Sequence, residues 1–210
     1  IIVVASADPE AVDATPLASV AYAGESLDVQ LDFANNGAAS AFDPVLVVRA
    51  STDQNITDAD PLLANVFIGT LSGLGNWSLS PSVNIPANFP AGEYFIGLTI
   101  ESSTTDANPS NNVVASNSTF SVAYRPANDD CESATWIPDG TFSIDTTGAS
   151  TDGATHAECA FDGTTYNDVW YRYIVPFDGQ LTVSTCSDLG GDSDFDTDIV
   201  LYLGDYCDSM

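Results

Sequence analysis

The chain has 210 residues, among them 30 Asp or Glu, three Arg, no Lys and one His, for a formal net charge of −27. A surface of that sign cannot neutralise phosphates, which excludes nucleic-acid binding and disfavours contact with anionic membranes. With 44% apolar and 10% aromatic residues the chain still has the material for a buried core, which a disordered acidic tail lacks.

The chain opens on the apolar run Ile1-Ile2-Val3-Val4-Ala5, which lacks the basic flank of a signal peptide and reads as a first strand. No stretch reaches the roughly 18 consecutive apolar residues of a membrane span. Leu27, Val29, Leu31 and Phe33 then alternate with polar residues up to the turn Asn35-Asn36-Gly37, the pattern of a half-buried strand. Residues 44–50 are apolar on both faces, 53–61 form a polar loop, and 66–71 resume a strand. After the turn Pro90-Ala91-Gly92, alternation returns at Tyr94, Ile96, Leu98 and Ile100. A polar loop at 102–112 follows, and Phe120, Val122 and Tyr124 close the series. About seven short strands over about 125 residues predict an antiparallel sandwich with Greek-key connections.

Proline and a polar cluster, Arg125-Pro126-Ala127-Asn128-Asp129-Asp130, interrupt the alternation. The expected domains are therefore residues 1–124, a linker at 125–130, and residues 131–210, which hold all four Cys. In the second domain strands are expected at 141–144, 169–175, 181–186 and 199–203, the middle two joined as a hairpin by Pro176-Phe177-Asp178-Gly179. The expected fold class is all-β, as two consecutive antiparallel β-sandwiches.

Gly24-Glu25-Ser26, Asn35-Asn36-Gly37, Pro90-Ala91-Gly92-Glu93-Tyr94 and Asn111-Asn112 before the last strand carry a resemblance for the first half. It resembles the bacterial cell-adhesion-related (CARDB) domain, which implies an immunoglobulin-like module. The second half carries Asn128-Asp129-Asp130-Cys131, Asp168-Val169-Trp170-Tyr171, Val183-Ser184-Thr185-Cys186 and Phe195-Asp196-Thr197 leading into Ile199-Val200-Leu201-Tyr202. It resembles the bacterial pre-peptidase C-terminal type of β-sandwich. Both resemblances imply non-catalytic modules of large exported proteins. In the second family further strands follow the position of Cys207, so the second sandwich is expected to be incomplete. An open sheet edge invites another strand. The segment Ile1, Ile2, Val3 and Val4 could supply it from a second copy, as a self-assembly strand in a head-to-tail fibre, or could be the first strand of its own sandwich.

Four Cys allow three pairings. If 176–179 is a simple hairpin turn, Cys186 falls opposite Val169, at the sheet end where the loop holding Cys159 enters, which favours Cys159–Cys186. Pairing of 181–186 with 199–203 would leave Cys207 about nine residues, roughly 30 Å, from Cys186, beyond disulfide reach. Cys131–Cys207 then follows by elimination, unless Cys207 awaits another partner. Zinc is not expected, because there is no Cys-x-x-Cys and only His156.

Asp192, Asp194 and Asp196 project to one side of an extended segment, where they repel unless a hard cation bridges them. They form a candidate calcium site with Asp129 or Asp130; a solvated acidic loop is the alternative. Residues 53–60 invite the same idea more weakly. The overall acidity fits either cation binding or adaptation to a salty medium. Asn55, Asn76 and Asn117 begin glycosylation triplets, which together with four Cys favour export. Trp77, Trp136 and Trp170 could stack on sugars if exposed; Trp170 reads as core and Trp77 as the surface candidate. No nucleophile elbow and no phosphate-cradling glycine loop occurs, so no catalysis is expected.

These features predict an extracellular or cell-surface structural protein whose partners are copies of itself or other surface proteins, with calcium as an optional stiffener. The rival expectation is an accessory module of a secreted hydrolase or adhesin that binds a polysaccharide or a protein.

Overall fold

Leu27, Val29, Leu31 and Phe33 point from one strand into a single core, each at most 2% exposed, while Asp28, Gln30 and Asp32 between them stay in reach of solvent. The computed structural model describes residues 5–156, 163–187, 190–192, 195, 197–204 and 207, and divides the chain into two units, Ile1–Tyr124 and Arg125–Met210. The apolar opening, Ile1 to Val4, lies outside the described residues.

In chain order the first unit runs β1 (Pro9–Pro16), β2 (Val20–Tyr22), β3 (Ser26–Asn35), β4 (Ala41–Phe42), β5 (Val45–Ser51) and β6 (Leu62–Phe67). It continues through β7 (Thr70–Leu71), β8 (Gly75–Leu79), β9 (Ser82–Asn84), β10 (Gly92–Glu101) and β11 (Val113–Ala123). One sheet has the order β1-β3-β8, and β9 takes over from β8 along β3. The facing sheet has the order β2-β11-β10-β5-β6, antiparallel except where β2 joins β11. This is a sandwich, and the alternating residues of the two inner faces fill it. Leu46, Val48 and Ala50 of β5 and Ile96, Leu98 and Ile100 of β10 are buried against the β3 set, with Phe120 and Val122 beside them. The strand expected at 66–71 is two strands, β6 and β7, because Ile68 and Gly69 break away to bond Pro44 and Asp43.

Three local devices set the loops. The side chain of Asn35 is fully buried; its Oδ1 accepts from the Asp8 and Gly37 amides, and its Nδ2 donates to the carbonyls of Ala39 and Leu71. A buried amide with all its partners met holds three segments together. Gly37 sits so close to the crossing chain that a Cβ there would lie 2.2 Å from the Ser6 carbonyl oxygen. Tyr94 donates its hydroxyl to the Pro90 carbonyl at 3.0 Å while its ring packs on Phe89 and Phe120, a tyrosine corner of the kind Greek-key sandwiches use.

Among its described residues the second unit has two short strands and no α-helix, and these strands differ from those expected. β12 (Thr135–Trp136) and β13 (Tyr171–Arg172) pair in parallel, and the hairpin expected across 176–179 does not form. Nor do 141–144 and 199–203 form strands. The apolar residues of the expected strands are present, yet Ile174, Val175, Leu181, Val183, Ile199 and Leu201 are all between 45% and 69% exposed. Alternation yields a ladder only where a second layer covers the apolar face, and among the described residues no such layer is present. No helix among the described residues is long and apolar enough to cross a membrane.

Candidate functional site

The second unit is organised by polar side chains gripping backbone. Asp129, 7% exposed, accepts from the Ser150 amide at 2.6 Å and lies 3.8 Å from the Arg125 guanidinium, which also bonds the Gly148 carbonyl. Asn128 Nδ2 donates to the Trp170 carbonyl, and the Trp170 amide returns a bond to the Asn128 carbonyl. Asp168 clamps the turn at 152–153 by accepting from the amides of Asp152 and Gly153. Burial, and then its contact with the Asp152 carboxyl, hold the Asp168 carboxyl above the usual carboxylate range. The Trp170 indole N–H donates to Asp152 at 3.0 Å, so that ring is tethered rather than free.

Cys131 and Cys207 form a disulfide with their Cα atoms 5.9 Å apart, the pairing reached above by elimination. Cys186 carries a free, exposed thiol, so the pairing expected with Cys159 is not made at Cys186. That pairing depended on a hairpin register, and without the hairpin nothing sets Cys186 at that sheet end. Cys159 itself lies outside the described residues.

Of the calcium candidates, Asp194 and Asp196 lie outside the described residues, and Asp192 and Asp130 are exposed. Asp129 is committed to Arg125 and Ser150. Among the described residues no group of three or more His, Cys, Asp or Glu is placed to hold a metal ion. In the loop at 53–60 the Arg49 guanidinium binds the Asp60 carbonyl at 2.9 Å and the Asp58 carboxylate at 3.1 Å. A side-chain cation thus sits where the sequence suggested calcium. Asn55, Asn76 and Asn117 are all exposed; Asn117 lies on a bulge of β11 where Ser116 Oγ, in place of a backbone carbonyl, takes the Ile96 amide.

Trp77 is not the surface ring expected, while Trp170 is half-buried. Trp77 stacks on buried Phe33, ring centroids 6.1 Å apart, and folds back over Gly75, where a Cβ would lie 2.3 Å from the indole. It therefore belongs to the core margin. Trp136 is the exposed one, at 61%. Strand alternation alone could not separate them, because the side a short strand presents depends on which partner it finds.

Because β12 and β13 are parallel, the segments leaving them run side by side and are tied by the Ile137 amide on the Arg172 carbonyl. Between them lies an open groove of about 390 Å³, lined by Trp136, Ile137, Pro138 and Asp139 from one side and Tyr173, Ile174 and Pro176 from the other. Tyr173 donates its hydroxyl to Asp139 at 2.5 Å, and that bond raises the Tyr173 phenol above its ordinary range. An exposed indole beside a hydroxyl–carboxylate pair suits a ligand with one apolar face and a hydroxylated edge.

Residues 127–197, which contain most of this groove's surroundings, match a family described as galactose binding domain-like and T9SS-associated. That family differs from the pre-peptidase C-terminal type that the motifs resemble. The match spans about a third of the chain. No curated protein matches the chain in sequence. Similar solved folds include the CARDB domain of a Pyrococcus furiosus protein in complex with di-metal ions, at 16% identity and TM-score 0.43, covering 59% of this chain and 100% of that one. A domain of a Methanosarcina acetivorans protein described as cell-surface is 11% identical with TM-score 0.42, covering 56% and 93%. A β-glucosidase from Listeria innocua in complex with glucose is 14% identical with TM-score 0.35, covering 57% of this chain and 16% of that one.

Proposed function

We propose that the chain is a non-catalytic accessory segment of an exported, surface-exposed protein, and that its second unit binds carbohydrate in the groove over Trp136. The exposed Trp136 ring next to the Tyr173–Asp139 pair carries this reading. The disulfide supports an oxidising compartment, and the galactose binding domain-like description of residues 127–197 supports both the surface location and the ligand class. The first unit, a sandwich with a closed core, serves as a spacer. Affinity electrophoresis of the 210-residue chain through gels containing neutral polysaccharides tests it. Retardation by at least one glycan, abolished in Trp136→Ala, is the expected result; free migration in all of them, or retardation unchanged in Trp136→Ala, overturns it.

A second reading has its own observation. Apolar residues of the second unit, Ile174, Val175, Leu181, Val183, Ile199 and Leu201, are exposed. Such a face can be covered by strands of another copy, building a head-to-tail fibre. Regular polymers in negative-stain images that survive dilution would favour assembly; a monodisperse monomer at high concentration would exclude it.

A further inference from the structure

We propose that the folded chain is refractory to endopeptidases that cleave after basic residues, and that Pro126 guards the junction between its two units. The chain offers such enzymes three bonds in all, after Arg49, Arg125 and Arg172, since it contains no Lys. Each is closed in a different way.

Arg49 lies within β5, an inner strand laddered on both sides, with Gly97 of β10 opposite on one flank and Leu62 of β6 on the other. Its side chain is 14% exposed and is held by Asp58 and by the Asp60 carbonyl. An endopeptidase binds its substrate as an extended strand with the basic side chain inserted in a pocket, so this bond is reached only when the sheet opens. Arg172 sits in β13, its carbonyl bonded to the Ile137 amide. Its guanidinium bonds the Cys131 carbonyl at 3.2 Å and lies over the Trp136 ring, 5.9 Å from the centroid.

Arg125 is the critical case, because it opens the second unit directly after Tyr124 ends the first. A junction between domains is where proteolytic nicking concentrates. Here the bond that would be cut is Arg125–Pro126. The leaving group is a ring nitrogen without an N–H, and the ring crowds the side of the bond where the enzyme's histidine must deliver its proton. The Arg125 side chain is itself engaged by Asp129 and the Gly148 carbonyl, 27% exposed. Local fraying of the junction therefore still leaves a bond that resists hydrolysis.

Trypsin digestion of the native and the urea-unfolded chain, read on gels and by mass spectrometry, decides this. The native chain should stay intact for hours on reducing and non-reducing gels, and the unfolded chain should be cut after Arg49 and Arg172 but not after Arg125. Pro126→Ala, at a half-buried turn-edge position, should be split natively into residues 1–125 and 126–210. Native cleavage after any of the three Arg in the unaltered chain overturns the proposal, and a native Pro126→Ala chain that remains whole removes Pro126 from it. Chymotrypsin susceptibility equal in both chains shows that the substitution has not loosened the fold.

Discussion

The Arg172 guanidinium lies over the Trp136 indole, 5.9 Å from its centroid, and so occupies one side of the ring that the groove presents. A ligand stacking there has the opposite side available. The cation holds the ring in place, and a cation over an indole contributes about 0.5–1 kcal/mol at an exposed position.

Trp136→Ala is expected to abolish glycan retardation while leaving the melting temperature nearly unchanged, because the ring is mostly in solvent. Trp77→Ala should do the opposite. It removes a ring stacked on Phe33 and should destabilise the first unit by about 3 kcal/mol. Thermal melts and affinity gels on the two variants test the pair, and a destabilised Trp136→Ala would count against an exposed binding ring.

Breaking the disulfide should be costly in the second unit. It closes a loop of 76 residues, for which chain entropy gives about 4.5 kcal/mol. Cys131→Ser with Cys207→Ser should therefore lower or remove the second unit's unfolding transition and leave the first unit's intact, as calorimetry would show. In the unaltered native chain Cys186 should react with a thiol reagent, since its sulfur is free and exposed.

Two carboxyls should give opposite pH signatures. For Asp60, partial burial pushes the pKa up, but the Thr57 amide and the hydroxyls of Ser51 and Thr57 outweigh it and hold the carboxyl below its ordinary value. Its contribution to stability is present above the unfolded carboxylate pKa and is lost as pH falls through the folded one. Asp168 is raised, so its contribution is full below the unfolded pKa and is lost as pH rises through the folded one. Carbon-detected NMR titration of the side-chain carboxyls should show Asp168 titrating late, and Asp152→Asn should bring it back toward the ordinary range. An unchanged Asp168 titration in that variant would mean that burial alone sets it.

Asp129→Ala should destabilise the second unit by about 3 kcal/mol, because the Ser150 amide and the Arg125 guanidinium lose a buried partner. The loss should be the same with calcium or with a chelator present. A calcium-dependent difference in the melting of the unaltered chain, absent in Asp129→Ala, would instead make Asp129 a ligand.

Much of the first unit could be read from residue order alone. Leu27 to Phe33 and Tyr94 to Ile100 alternate over lengths that only a half-buried strand explains, and the turns at Asn35-Asn36-Gly37 and Pro90-Ala91-Gly92 punctuate them. Those signals are local, and a strand covered on one side by a complete sandwich obeys them. What local patterning could not decide was which short apolar stretches would find a covering layer. Leu181 and Val183 alternate with polar residues and 199–203 is apolar throughout, yet among the described residues no second sheet buries them, and they stay out of any ladder. For the same reason the choice between Trp77 and Trp136 was settled in three dimensions, where Phe33 and Gly75 made room for one indole and a two-residue parallel ladder left the other in water. Charge, cysteine content and strand period belong to the chain as written; disulfide choice, the cation in the 53–60 loop and the exposed indole depend on which distant residues folding brings within a few ångströms.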